Sequence, residues 1–518
     1  MSNSENFISH INEGYSFKSS EVISLGAGIF EGETFSEAPV NIPLKTLNRH
    51  GLIAGATGTG KTKTLQLLAE SLSDKGVPVL LMDLKGDLSG LAKPSDGHPK
   101  IDERHEKLGI PFEPSGYPVE ILTLSEQEGT RLRATVSEFG PILLSRILDV
   151  TDTQAGILSV VFKYCDDNNL ALLDLKDLKK VLQYVTSDEG KAEVQEQYGS
   201  ISKASTGAIL RKIIEIEQQG GELFFGERSF EVQDLMRHDD KGRGMINILR
   251  LTDIQDRPKL FSTFMLSLLA EVYSTLPEQG DGDRPELVLF LDEAHLIFNQ
   301  ASKALLDQIE NIVKLIRSKG VGLYFVTQTP TDVPDGILGQ LGLKVQHALR
   351  AFTAKDRKAI KLTAENYPLS DFYNTSELIT GLGIGEALIT ALNEKGIPTP
   401  LAHVMLRAPK SRMGVLNQKE LDNLIERSEI YDKYQEVLDP ESAYEILSKK
   451  IEQAEAEEAK EAAREEQEKL NKRSSRSTPS SSSSRSSQSS DTQKAVLKVL
   501  TSATFIRGAL GILQKILR

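Results

Sequence analysis

The stretch Arg49-His50-Gly51-Leu52-Ile53-Ala54-Gly55-Ala56-Thr57-Gly58-Thr59-Gly60-Lys61-Thr62 decides how this chain is read. Leu52–Ala54 is a short apolar run of the kind that becomes a buried strand, and Thr64–Leu72 has the spacing of an amphipathic helix. Between them, Gly55 to Thr62 satisfies GxxxxGK[ST] in full. A triphosphate needs inward-pointing backbone N–H groups, an ammonium for its outer oxygens and a hydroxyl ligand for Mg²⁺. The loop Gly55, Ala56, Thr57, Gly58, Thr59 and Gly60 offers the first, Lys61 the second and Thr62 the third. Lys63 completes the candidate nucleotide-binding set, and the expected ligands are ATP and Mg²⁺.

Hydrolysis requires more than binding. An acid must hold the magnesium shell and a base must orient water, and Leu287-Val288-Leu289-Phe290-Leu291-Asp292-Glu293 places both at the end of an apolar strand. Asp292 is the expected metal ligand, with Thr62, and Glu293 the expected catalytic carboxylate. Gln328 ends the next strand, at the carboxyl edge where ligands bind in α/β sheets, and is expected to sense the γ-phosphate or orient the water. Asp83 ends the strand Val79–Met82 and either supports magnesium or fixes the following loop. Phosphoryl transfer also gains from an arginine donated by a neighbouring subunit, for which Arg317 and Arg350 are the candidates. Arg49 and His50, just ahead of the loop strand, are expected to position the nucleotide or an adjacent loop.

Outward from these motifs, the apolar runs Leu52–Ala54, Val79–Met82, Met245–Leu249, Leu287–Leu291 and Leu323–Val326 alternate with helical stretches, which predicts an α/β fold with a mostly parallel sheet. Seven segments are expected. Residues 1–48 form a short N-terminal segment with a strand over Val40–Leu47, and 49–130 form the first half of the core. An all-helical insertion spans 131–230, the second half of the core 231–410, and a charged helical region 411–473. Twelve of the seventeen residues from Ser474 to Ser490 are serine, so 474–493 reads as a flexible linker. Residues 494–518 regain helical periodicity beside Lys494, Lys498, Arg507, Lys515 and Arg518, a cationic amphipathic helix.

The 518 residues carry 61 basic and 74 acidic side chains, a net charge of −13, which excludes a protein that coats nucleic acid with its whole surface. Any such contact is local, and Lys203, Arg211 and Lys212 in the insertion are candidates. One cysteine, Cys165, excludes an intramolecular disulfide framework. With no secretory signal and no apolar stretch of bilayer length, the expected location is the cytoplasm.

Taken together, RHGLIAGATGTGKT, LVLFLDEAHLIF, LIRSKGVGLYFVTQTP and LGQLGLKVQHALRAFT resemble the HerA/FtsK division of P-loop ATPases, and within it a bacterial HerA-like family. The resemblance runs from about residue 20 to 410. It implies a RecA-like core assembled as a homo-oligomeric ring, commonly a hexamer, with ATP at subunit interfaces and double-stranded DNA through the centre. By that analogy Lys61 and Thr62 bind phosphate and magnesium, Asp292 and Glu293 are the hydrolytic carboxylates, and Gln328 is the sensor. Arg317 or Arg350 then completes a neighbour's site. About 48 residues precede the loop strand, fewer than the amino-terminal β-barrel of archaeal HerA would take.

Two functions are therefore expected in competition. The first is a Mg²⁺-dependent ATPase that couples hydrolysis to DNA translocation or remodelling. The second is a regulatory or scaffold ATPase that controls assembly at a protein or membrane partner, motivated by the cationic tail. A GTPase is disfavoured by the lack of an NKxD-like element, and an ABC ATPase by the lack of an LSGGQ-like signature.

Overall fold

The computed structural model describes residues 2–474 except 19, 20, 281, 300–302 and 437. The expected linker, Ser474 apart, and the expected cationic helix lie outside the described residues. Residues Met1–Ile451 form one compact unit, and those from Glu452 onward belong to a second, whose described part is the end of the helix Ala443–Ser474.

Twelve strands make one sheet: β1 (Val22–Phe30), β2 (Glu33–Pro43), β3 (Gly51–Ala54), β4 (Val79–Asp83), β5 (Val119–Thr123), β6 (Thr130–Arg131), β7 (Ile246–Arg250), β8 (Leu287–Leu291), β9 (Val321–Thr327), β10 (Leu343–Gln346), β11 (Glu386–Thr390) and β12 (Ala402–Leu406). Their spatial order is β2-β1-β12-β11-β10-β3-β9-β8-β4-β7-β5-β6. From β10 to β6 every pairing is parallel. From β10 outward to β2 every pairing is antiparallel. The mostly parallel α/β core is as expected, and the N-terminal segment extends it: β1 pairs with β12 and carries β2 on its other side. The expected strand Val40–Leu47 is displaced. β2 ends at Pro43, and Leu44–Arg49 instead form a 3-10 turn.

The central strands are buried on both faces, so they read as continuous apolar runs rather than alternating ones. Alternate side chains serve two cores. Leu52, Ala54, Leu80 and Met82 face one, and Ile53, Val79 and Leu81 face the other. The second face is covered by α1 (Asn3–Tyr15) and α2 (Lys61–Asp74), which bury Phe7, Ile11, Leu65, Leu68 and Leu72. A further helix, α3 (Pro99–Leu108), follows β4.

On the first face lie α4 (Val136–Ile147), α5 (Asp152–Asp167), α6 (Leu175–Tyr184), α7 (Asp188–Tyr198) and α8 (Lys203–Gln218). Side-chain caps define their starts: Thr135, Thr151, Asp174, Ser187 and Ser202 each accept a backbone N–H of the first turn. Leu144, Leu158, Leu178, Ile209 and Ile213 are fully buried in the same core as Leu80 and Met82. These helices thus share the hydrophobic core of the sheet. No helix among the described residues is long and apolar enough to cross a membrane.

The strand order positions the site. β3, β9, β8 and β4 are neighbours and parallel, so the residues following their carboxyl ends converge on one edge: Gly55, Gln328, Asp292 and Leu84.

Candidate active site

Gly55–Gly60 form the turn between β3 and the first residue of α2, Lys61. Gly58 and Gly60 have φ of +78° and +118°, a region that costs a side-chain-bearing residue strain. Gly55 is required for space: a Cβ there would lie 2.5 Å from the His347 Cβ. The loop is tied to both neighbouring strands. Gly55 N–H donates to the Thr327 carbonyl (3.2 Å) and Ala56 N–H to the Ala348 carbonyl (2.8 Å). Its far side accepts from Gly385, whose N–H donates to the Thr59 carbonyl at 3.1 Å. Arg104 of α3 in turn binds the carbonyls of Ile384, Gly385 and Leu406. A rigid loop leading into a helix N-terminus is an anion cradle.

His347, which the sequence reading passed over, is the loop's main brace. Its Nδ1 lies 2.9 Å from the Glu386 carbonyl and therefore carries the proton, which leaves Nε2 to accept from the Thr64 hydroxyl at 2.8 Å. His50 is bound the same way, Nε2 donating to the Val313 carbonyl and Nδ1 accepting from Leu323 N–H. It thus ties β9 to the helix Lys303–Ile316 from the amino end of β3, a brace at the edge away from the phosphate loop rather than the expected positioning of nucleotide or adjacent loop. Burial pushes both histidines down to about 4. In the unfolded chain they take a proton near 6.5, so between these values the unfolded state binds more protons. Their stabilisation is complete above pH 6.5 and is lost as pH falls toward 4, on the order of 3 kcal/mol each at the limit. Asp292, raised by burial to about 6, opposes this, and burial raises Glu70, Asp83, Glu120 and Asp174 in the same sense. The pH dependence of the thermal midpoint is expected to differ in His50→Asn, the variant gaining on wild type as pH falls from 6.5 to 4. An unchanged slope would contradict the assignment.

Lys61 and the acidic pair meet across the edge. The Lys61 ammonium donates to the Gly55 and Ala56 carbonyls (2.6 and 3.1 Å). Burial lowers its pKa, as does Lys85, while Glu293 and Asp292 raise it. All four charges therefore share one neighbourhood. Asp292 and Glu293 are buried at the end of β8, 5% and 9% exposed. Asp292 Oδ1 accepts the Glu293 N–H at 2.9 Å. Glu293 has φ +48°, so its side chain leaves the strand in a direction different from that of Asp292. Its Oε1 is 2.5 Å from Lys85 Nζ, whereas its Oε2 is buried without a hydrogen bond, 3.3 Å from His295 Nδ1.

Mg²⁺ takes hard oxygen ligands and is usually held by one or two protein groups together with substrate phosphates. The Thr62 hydroxyl in the first turn of α2 and the Asp292 carboxylate are donors of that type, so the residues present fit the ion. Asp83 does not add to them. Its oxygens accept the N–H groups of Gly86 (2.6 Å), Asp87 (3.1 Å) and Leu88 (3.2 Å), which fixes the loop after β4.

The other sequence candidates distribute unevenly. Gln328 is exposed and follows Thr327, beside the start of the phosphate loop. Lys63 turns its ammonium away, to Gln66 Oε1 (2.9 Å) and the Met413 carbonyl (2.6 Å). Arg350 is exposed at the same edge as the loop and binds the Thr380 carbonyl at 3.1 Å. Arg317 is exposed ahead of β9, at the opposite edge of the sheet, about 20 Å away at the rise of an extended strand. It is not brought to the site of its own chain.

Comparison with known proteins agrees with this architecture. A family described as "Helicase HerA-like C-terminal" matches residues 30–516. The chain is 23% identical to the DNA double-strand break repair helicase HerA of Sulfolobus acidocaldarius over 376 residues, 70% of this chain and 66% of that protein. It is 24% identical to the same-named protein of Sulfurisphaera tokodaii over 363 residues, 68% of this chain and 64% of that one. The chain thus spans just under two thirds of the length of these relatives. Among solved structures, VirB4 of Thermoanaerobacter pseudethanolicus superposes with a TM-score of 0.50 at 18% identity, over 76% of this chain and 98% of that one, a likeness of fold. With the RecA-like core, the phosphate loop and the strand-end acidic pair in place, the family match over most of its length means that this chain belongs to the HerA-like family of P-loop ATPases.

Proposed function

We propose that the chain is a Mg²⁺-dependent ATP hydrolase of HerA/FtsK type, acting as a ring of like subunits that moves or remodels double-stranded DNA. The observation that carries the hydrolytic part is the convergence of Lys61, Asp292 and Glu293 on one sheet edge, with Gln328 on the strand between them. In this reading the N–H groups of Gly55–Lys61 and the Lys61 ammonium hold the phosphates, and Thr62 and Asp292 hold magnesium. The ion supplies neutralisation of charge on the phosphate oxygens. Glu293, with an oxygen free of hydrogen bonds, takes the proton of the attacking water, and Gln328 orients that water or senses the γ-phosphate. Arg317, placed away from its own site, serves a neighbouring copy if it acts at all; Arg350 is the alternative donor.

The DNA part draws on the names of the relatives and on local positive charge. Lys203 and Arg211 are exposed on α8, and Lys355, Arg357, Lys358 and Lys361 on the helix Ala354–Glu365, beside Phe352, which is 87% exposed. ATP turnover with and without double-stranded DNA at two salt concentrations tests it. DNA is expected to accelerate turnover at low salt and less at high salt. Lys355, Lys358 and Lys361→Glu, or Lys203 and Arg211→Glu, are expected to lower that stimulation at least fivefold with basal turnover kept. Turnover indifferent to DNA at both salts would remove the DNA part and leave the ATPase.

A further inference from the structure

Lys85 stands among the proposed catalytic groups, and the roles assigned above make no use of it. It lies two residues beyond β4, on the loop that Asp83 pins through three backbone N–H groups. Gly86 turns that loop with φ +75°, and the Gln255 amide binds the Leu84 carbonyl from the other side. The backbone carrying Lys85 is therefore fixed on both flanks. From it the ammonium reaches Glu293 Oε1 at 2.5 Å and approaches Asp292 Oδ2 at 3.9 Å.

Glu293 has little else to orient it. It sits beyond the last residue of β8 in a left-handed conformation, its Oε2 makes no hydrogen bond, and the His295 Nδ1 beside that oxygen makes none either. A glutamate carboxylate swings on three side-chain torsions, and misplacement of a reacting group by about 1 Å can cost on the order of 100-fold in rate. The ion pair to Oε1 fixes one end of the carboxylate, while Oε2, buried, makes no hydrogen bond that competes with it.

We propose that Lys85 is a positioning residue for hydrolysis: anchored by the Asp83 loop, it holds Glu293 in its working orientation. This rests on the reading of Glu293 as the hydrolytic carboxylate. It also couples two strands, since any displacement of the loop after β4 moves the catalytic carboxylate at the end of β8.

The test compares full-length wild type, Lys85→Ala, Lys85→Arg and Glu293→Gln. Each is measured for ATP turnover and for affinity toward a non-hydrolysable ATP analogue with Mg²⁺. Truncating Lys85 leaves Glu293 and Asp292 buried without their cation, so a thermal midpoint is measured for each variant and turnover is compared at a temperature where all are folded. Lys85→Ala is expected to lower kcat about 10- to 100-fold, with KM and analogue affinity within about twofold, and Lys85→Arg to recover a large part of kcat. Wild-type or faster turnover in Lys85→Ala overturns the proposal. So does a loss of analogue affinity equal to the loss of turnover, which would make Lys85 a phosphate ligand. If Glu293→Gln is inactive while Lys85→Ala is normal, only the role of Lys85 falls. If Glu293→Gln hydrolyses normally, the reading of Glu293 fails first.

Discussion

Glu293→Gln is expected to lower ATP turnover at least about 100-fold while nucleotide affinity stays within about twofold. The size follows from the usual contribution of a positioned general base, about 10²- to 10⁴-fold. Glutamine keeps the volume and one acceptor oxygen but takes up no proton. The substitution also removes a charge partner from Lys85, whose side chain is 40% exposed, so folding stability changes little. The two halves of the expectation must be measured together. A variant that loses nucleotide as well as turnover would mean that Glu293 shapes the site rather than reacts in it.

The second large effect concerns binding. Lys61→Ala removes the ammonium that donates to the Gly55 and Ala56 carbonyls and that is proposed to hold the phosphates. Hydrogen bonds to charged groups contribute about 1.5–3 kcal/mol, so the nucleotide dissociation constant is expected to rise about 100-fold. Lys61 is also an internal brace of its loop, so the apo protein should lose some thermal stability. Isothermal titration with ATP and Mg²⁺ checks the first effect and a melting curve the second. An affinity unchanged in Lys61→Ala would place the nucleotide elsewhere.

The central strands were legible because they are buried on both faces and hence uniformly apolar. Where a polar residue interrupts a strand, the signal vanishes. β5 contains Glu120, buried and paired with Arg237 at 2.7 Å, and β10 contains Lys344 and Gln346. Neither strand stands out as an apolar run, although both lie inside the sheet. The strand expected over Val40–Leu47 was shifted because Pro43 ends the pairing and the 3-10 turn keeps an apolar spacing of its own.

The same distinction divides the site. Gly55–Thr62 and Asp292-Glu293 are local patterns whose chemistry is carried by spacing along the chain. Lys85 and His347 act across the sheet, each touching a residue more than 200 positions away, and no local pattern points to them. Asp83 was readable as a carboxylate at the right edge, but its choice between metal and loop depends on three backbone N–H groups that only the folded turn presents. The arginines remain the least legible. Arg317 and Arg350 sit at opposite edges of one subunit, and a role at a neighbouring copy would be decided by assembly, which no pattern along the chain encodes.

Hydrolysis of ATP at this edge of the sheet is read out by a single-turnover experiment. Wild-type protein in excess over radiolabelled ATP, with Mg²⁺, is predicted to convert the bound nucleotide to ADP and phosphate in a single phase. ATP that is bound at the site yet recovered intact would mean that Lys61, Asp292 and Glu293 form a nucleotide-binding site without hydrolytic activity.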